Sequence, residues 1–218
     1  MYFDVNVSSR FPGSEIGIVE ELGHDGICVN TVITPEMVEG YKRPPLDLWG
    51  DKKVYERVEV VRYRDGGGGV DVREKLDPDL LAIRLERPED FKEVVKVSPD
   101  VITFDHTKSF LIGRDEVVEA TKRNIFFEIP LVHGMYGCGD KSMWMRNARR
   151  LLEATGGVNV VVGSGAACST EMRSRQDVIK ILEGLGMSRD GGKRVLLNSA
   201  RLVRSCDIRR GYVVKRKM

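Results

Sequence analysis

Alternation of short apolar runs with amphipathic stretches along all 218 residues predicts an α/β domain on a parallel sheet, either an open doubly wound sheet or a closed TIM-like barrel. Three observations carry that reading. About seven strand-like runs recur with helical patterns between them, the order that crossover connections impose. Residues 158–162 are almost pure valine, the composition of a strand covered on both faces. The length suits one domain, and seven strands in 218 residues make a compact barrel.

The first strand is expected over residues 2–7, where Phe3, Val5 and Val7 alternate with Asp4 and Asn6. Ser14 is placed to cap a helix in which Ile16, Val19 and Leu22 recur at helical spacing until Gly23 and Gly26. Residues 27–33 read as the second strand. Pro35, Pro44, Pro45 and Gly50 make residues 34–53 a loop or a broken helix. Residues 54–63 read as the third strand, and the four glycines at 66–69 as a turn, since no Lys-Ser or Lys-Thr pair follows them to complete a phosphate cradle. Residues 80–85 form the fourth strand, 88–97 a helix opening on Pro88, and 101–105 the fifth strand. Helices over 115–123 and 141–154 flank a sixth strand at 125–131, and the valine run is the seventh. An amphipathic helix over 175–185 is closed by Gly186, and Val195, Leu197, Leu202 and Val203 mark a basic terminal helix.

Hydrophobic residues make up 41% of the chain and charged residues 31%, a balance that suits a folded domain and excludes wholesale disorder. No stretch approaches the roughly 20 apolar residues of a membrane span, and Met1-Tyr2-Phe3-Asp4 lacks the layout of a signal peptide, so an intracellular protein is expected with no membrane partner. Cys28, Cys138, Cys168 and Cys206 are far apart and form no C-x-x-C pair, which points to reduced, structural thiols. The net charge is +2, yet residues 193–218 hold nine Lys or Arg against Asp207 alone, about +8, leaving about −6 for the rest. An excess of that size reads as a surface for a polyanion.

Enzymatic chemistry would start from polar residues at strand ends: Asp4, Asn6, Asp105, His106, Glu128 and His133. A metal-dependent phosphoesterase using Asp4, Asp105, His106 and His133 is the alternative function. Barrels of the polymerase-and-histidinol-phosphatase type open with His-x-His to hold the metal, and the matching pair here is Asp4-Val5-Asn6. Gly163-Ser164-Gly165 lacks the G-x-S-x-G elbow and has no local base, but its glycines let backbone approach an anion closely.

Residues 161–167, Val-Val-Gly-Ser-Gly-Ala-Ala, are followed by Met172-Arg173-Ser174-Arg175-Gln176-Asp177-Val178 and then Gly184-Leu185-Gly186-Met187. With Asp4-x-Asn6, Phe127-Glu128-Ile129 and Thr155-Gly156-Gly157, this order and spacing resembles the ribonuclease P protein component 3 family. Arg175 stands where the family usually has proline, and Gly163 where it often has serine. The resemblance implies a single TIM-barrel-like domain over 1–218, related to metal hydrolases but without their ligands, with 193–218 a basic helix and tail. It implies a non-catalytic subunit of ribonuclease P that supports 5′-leader removal from precursor tRNA. It carries no catalytic residue, metal or cofactor of its own, and Mg2+ serves the RNA subunit. The implied partners are the RNase P RNA, in some relatives the RNase MRP RNA, and other protein subunits of the particle. The residues expected at RNA are Ser164, Gly165, Arg173, Arg175, Arg201, Arg204, Arg209, Arg210, Lys215, Arg216 and Lys217, with Asp177 supporting the loop. The compartment follows the organism: nucleus for a eukaryotic member, which the motifs favour, and cytoplasm for an archaeal one.

Overall fold

The computed structural model describes residues 1–49, 52–63, 72–110, 112–137 and 139–212. The glycine run at 66–69, Cys138, Lys215, Arg216 and Lys217 lie outside them. Seven strands, β1 (Phe3–Ser8), β2 (Gly26–Ile33), β3 (Lys53–Val60), β4 (Leu80–Leu85), β5 (Val101–Phe104), β6 (Phe126–Pro130) and β7 (Val160–Gly163), pair in chain order and are parallel throughout. The helices are α1 (Gly17–Glu21), α2 (Val72–Leu76), α3 (Phe91–Lys96), α4 (Arg114–Lys122), α5 (Leu131–Met135), α6 (Lys141–Thr155), α7 (Arg175–Gly184) and α8 (Arg189–Arg209). Among the described residues no helix is long and apolar enough to cross a membrane.

Of the two architectures the alternation allowed, the barrel forms, nearly closed, with one isolated bridge between Val7 and Ala166 where β1 meets the end of β7. Sequential pairing runs from β1 to β7, and at the strands' C-terminal ends the Ser8 amide donates to the Ala166 carbonyl (2.8 Å) and the Gly165 amide to the Asn6 carbonyl (2.7 Å). At the opposite end α8 occupies the seam between β1 and β7. Ser199 Oγ accepts from the Phe3 amide (3.1 Å), and Asn198 Nδ2 donates to the carbonyls of Gly157 (2.8 Å) and Val160 (2.7 Å). Two side chains of one helix thereby satisfy backbone groups that an edge strand would otherwise leave bare.

α8 then passes beneath the barrel. Leu202, Val203 and Cys206 pack against Phe3, Val5, Cys28, Tyr55, Leu80, Val101, Phe126 and Val161, an apolar layer to which all seven strands contribute. The Arg201 guanidinium lies 5.9 Å from the Phe126 ring centroid, Tyr55 Oη donates to Asp207, and Arg209 pairs with Asp100 at the start of β5. A second apolar layer joins the outward faces of β4–β7 to the helices, through Ile83, Phe104, Phe127, Val160, Trp144 and Leu182 among others.

Several local expectations are corrected. Ser14 caps no helix: it lies within a 3-10 turn, Gly13–Glu15, and α1 follows without a side-chain cap. The third strand stops at Val60 because Arg62 takes a positive φ of 55°. Val158 is exposed and β7 begins at Val160, since Asn159 turns through φ 52°. The terminal helix starts at Arg189, where Ser188 Oγ accepts from the Gly191 amide. Short helices α2 and α5 had no periodic signal, and residues 34–53 hold two 3-10 turns, Pro35–Gly40 and Asp47–Trp49.

The seam makes Asn198 a structural residue. Asn198→Ala strips donors from two buried carbonyls and is expected to lower the unfolding free energy by about 1–3 kcal/mol, seen as a lower urea midpoint at unchanged slope. Leu197→Ala, on the exposed side of the same helix, should stay within about 0.5 kcal/mol.

Candidate functional site

Period-two alternation places the next inward residues of each strand in one layer above the apolar one: Asn30 after Cys28, Arg57 and Glu59 after Tyr55, Thr103 after Val101, Glu128 after Phe126. On β1 the register slips between Asp4 and Val7, so Val5 joins the apolar layer while its neighbour Asn6 joins the polar one. Such a slip re-aims a side chain without ending the strand.

Arg57 is fully buried at the centre. Its Nη2 lies 2.5 Å from Glu128 Oε2 and 3.3 Å from Glu59 Oε2, and Nη1 donates to Glu128 Oε1 (3.0 Å) and the Val5 carbonyl (2.7 Å). Arg84 closes the other side of Glu59, with Nε donating to Oε1 at 2.8 Å. Asn6 Nδ2 donates to Glu128 (2.8 Å), and Asn30 Nδ2 reaches both Asn6 Oδ1 and Glu59 Oε2 at 2.9 Å. Two guanidinium groups against two carboxylates leave this set neutral. Gly163 is required beside it: a Cβ there would sit 2.4 Å from Glu128 Oε1 and 2.6 Å from Asn6 Cβ.

Burial alone would push the Glu128 carboxyl up, but the Arg57 charge and the bonds from Arg57 and Asn6 hold it below the ordinary carboxylate range. His106, stacked on Phe104 at 3.9 Å with Nε2–H donating to the Glu128 carbonyl, is pushed down to about 3 by burial. His24 and His133 are also lowered, chiefly by desolvation.

The set Asp4, Asp105, His106 and His133 is not assembled. Asp4 accepts from the amides of Asn6 and Ser164 beneath the seam, and His106 sits with the outward cluster around Phe104. Asp105 instead holds Thr107 and Lys108 at the end of β5, and His133 lies on α5 at the barrel mouth. The carboxylates at the barrel's heart are Glu59 and Glu128, each committed to arginine.

The residues expected at RNA separate to opposite ends of the barrel. Ser164 is buried: its hydroxyl donates to the Asn6 carbonyl (3.1 Å) and accepts from the Ala166 amide (3.0 Å), while Gly165 adopts φ 68° in the same closure. Arg173 packs over Tyr136, 4.9 Å from the ring centroid, and donates to the carbonyls of Thr170 and Met172; Arg175 beside it is exposed. Asp177 does not pair with Arg173. It forms a capping box with Ser174 and so fixes the start of α7. Arg201, Arg204, Arg209 and Arg210 lie on or just after α8 at the far end; Arg201 and Arg204 are exposed, whereas Arg209 pairs with Asp100 and Arg210 with Asp77 and Asp79.

Sequence reasoning missed Arg57, Glu59 and Arg84, although charges two apart inside a predicted strand were a usable signal. It also missed a hollow of about 440 Å³ at the ends of β3–β5, lined by Arg62, Arg84, Arg87 and Lys108 together with Glu86 and Asp105.

The family described as RNase P subunit p30 matches residues 1–211. The Arabidopsis thaliana protein GAMETOPHYTE DEFECTIVE 1 is 29% identical over 126 residues, 56% of this chain, and the match spans 22% of that protein's length. A chain in a cryo-EM structure of archaeal ribonuclease P with mature tRNA superposes with a TM-score of 0.76 at 14% identity, covering 98% of this chain and 96% of that one. A prolidase complexed with N-methylphosphonate-L-proline superposes at 0.59 with 9% identity, covering 93% and 74%, which places both on one barrel fold.

Arg57→Leu leaves Glu128 and Glu59 buried without their shared cation and is expected to cost about 3–5 kcal/mol in urea unfolding. The depressed groups also set a pH dependence. His106 contributes fully above pH 6.5, and its share is lost as pH falls toward about 3; Glu128 contributes above about pH 4.5 and is lost below it. Stability should therefore fall from pH 7 to pH 5, and His106→Gln should shrink that fall, leaving the part carried by His24 and His133.

Proposed function

Because the chain belongs to the RNase P subunit p30 family, we propose that it serves as a non-catalytic protein subunit of ribonuclease P, binding the catalytic RNA and supporting removal of the 5′ leader from precursor tRNA. The observation that carries the non-catalytic part is the closed charge network: the two central carboxylates are spent on Arg57 and Arg84, where a hydrolase would aim them at metal or water. The magnesium chemistry of the reaction belongs, on this reading, to the RNA.

The same strand ends carry the surface for phosphates. Arg62, Arg87 and Lys108 are exposed around the hollow at the ends of β3–β5, and Arg175 lies beyond β7 on the same end. Arg87 and Lys108 are held by Asp90 and Asp105 in exposed pairs, which are weak and readily exchanged for phosphate oxygens. Structured A-form RNA is recognised through shape and phosphate positions, the task suited to such a rim. Arg201 and Arg204 offer a second, smaller basic surface at the opposite end, so the chain can bridge two RNA segments or an RNA and a neighbouring subunit. Arg209 and Arg210 serve the fold. The eukaryotic cast of the motifs makes the nucleus the proposed compartment.

A pull-down of the tagged protein from its own cells tests this: an abundant structured RNA with magnesium-dependent 5′ processing of precursor tRNA in the eluate is expected, and no RNA at all overturns it. In the reconstituted particle, Arg87→Ala with Arg175→Ala should lower the slope of log affinity against log salt by about 2, with little change in sequence preference.

A further inference from the structure

Several surface cations of the helices are matched by an acid one turn away: Lys96 by Glu93 on α3, Arg123 by Glu119 at the end of α4, Lys180 by Glu183 on α7 and Lys193 by Asp190 on α8. α6 breaks this habit. Arg146, Arg149 and Arg150 stand at i, i+3 and i+4, so they share one exposed face within a rise of about 6 Å, and among the described residues none of them pairs with a carboxylate. Arg146 leans on the Met143 sulfur, and Arg149 donates to the Gly184 carbonyl (3.0 Å) at the end of α7. Glu153, the one acid of α6, pairs with none of the three. Of the acids on α4, which packs alongside, Glu119 is taken by Arg123 and Glu116 lies against Gly113. Three like charges on one turn oppose each other and the helix that carries them.

This turn adjoins the basic rim at the strand ends. Asn147, the residue after Arg146, is buried, and its Nδ2 donates to the carbonyls of His106 (2.8 Å) and Lys108 (2.7 Å), which staples the loop after β5 to α6. Lys108 is one of the rim cations. Phe110, two residues on, walls both the rim hollow and a small crevice whose other side is formed by Asn147 and Arg150. The cations therefore follow one another from Arg62 and Arg87 over Lys108 to Arg150, Arg146 and Arg149, out of the barrel mouth and onto its side wall.

The layout selects the kind of partner. The three arginines lie along a convex helix face and converge on no cavity large enough for a small anion, which suits a ligand whose charges repeat along a line; guanidinium forks grip phosphate oxygens in pairs. The core of a protein interface is instead poor in charge and rich in aromatic and other apolar side chains, and among the described residues Met145 is the only large apolar side chain that α6 exposes. We propose that RNA bound at the strand-end rim continues over Lys108 onto α6, where Arg146, Arg149 and Arg150 hold its phosphates, so that the backbone wraps from the barrel mouth down the outer wall. The assignment rests on the RNA-binding reading above and extends the contact to a face which that reading leaves out.

The test measures binding of the full chain to an in vitro transcript of the RNA recovered in the pull-down, as salt is raised. Arg146→Gln with Arg150→Gln spares the tie from Arg149 to α7, and should lower the slope of log affinity against log salt by about 2 with the urea midpoint unchanged or raised. Arg146→Lys with Arg150→Lys keeps the charges and should keep the slope. An unchanged slope in the glutamine pair overturns the α6 face, and if that variant also loses a protein subunit of the particle in co-purification, the face belongs to a protein. No RNA in the pull-down, or none bound by the unaltered chain, ends the subunit reading and the extension with it, whereas normal binding that ignores the glutamine pair sinks the extension alone.

Discussion

The contact on which this barrel depends is the one between the Arg57 guanidinium and the Glu128 carboxylate, both without solvent exposure. Two opposite charges cannot be carried into a dry barrel separately, since each would bear a desolvation cost of several kcal/mol. Once paired they demand company, and Glu59, Arg84, Asn6, Asn30 and the Val5 carbonyl supply most of it, with Arg57 Nε left unpartnered. The slip in β1 then follows, because Asn6 must turn inward one residue after Val5. So does Gly163, whose missing Cβ is the space that Glu128 occupies.

This arrangement divides the molecule into two ends with different work. Below the charged layer, apolar side chains from seven strands are sealed by α8, and the acids at the strand starts, Asp77, Asp79 and Asp100, tie that helix down through Arg209 and Arg210. Above it, the strand ends carry exposed cations around a hollow. A barrel of this kind commonly keeps its chemistry at the C-terminal ends of its strands. Here the same end is a rigid, charge-balanced platform, and the prolidase that shares the fold shows how little the backbone dictates what is placed there.

The strands were legible because buried parallel strands read as continuous Val, Ile and Leu, and the fourth, Leu80–Leu85, falls on the predicted residues. Strand ends were less so at Arg62, whose positive φ its residue type does not announce, whereas Asn159 turns through the left-handed region that Asn favours. The motif around Ser164 and Arg173 lies at the C-terminal ends of the strands, but Ser164 is consumed by closure through Asn6, a partner 158 positions away, and Asp177 by a helix cap with Ser174, three residues before it. Closure was expected from the family resemblance, while the alternation of elements alone left the open sheet and the barrel undecided. It hangs on Asn198 and Ser199, two ordinary polar residues in a helix, meeting backbone groups some 40 and 196 positions away. Arg57 and Glu59 were visible as charges in a strand, yet only the ring of seven strands reveals that their face is the inside.

The path of α8 has a consequence for how the chain comes into being. The helix supplies the floor of the barrel and the bridge between its first and last strands, so β1 emerges from the ribosome nearly 200 residues before the groups that complete its bonding. Until α8 is made the nascent strands hold an open edge and an uncovered apolar layer, the state most prone to pairing with other chains. Completion of the barrel thus waits for α8 even though all seven strands are made before it. The order of synthesis therefore leaves the first strand and the barrel floor dependent on the last described helix, and a chain cut before Arg189 would keep both uncovered.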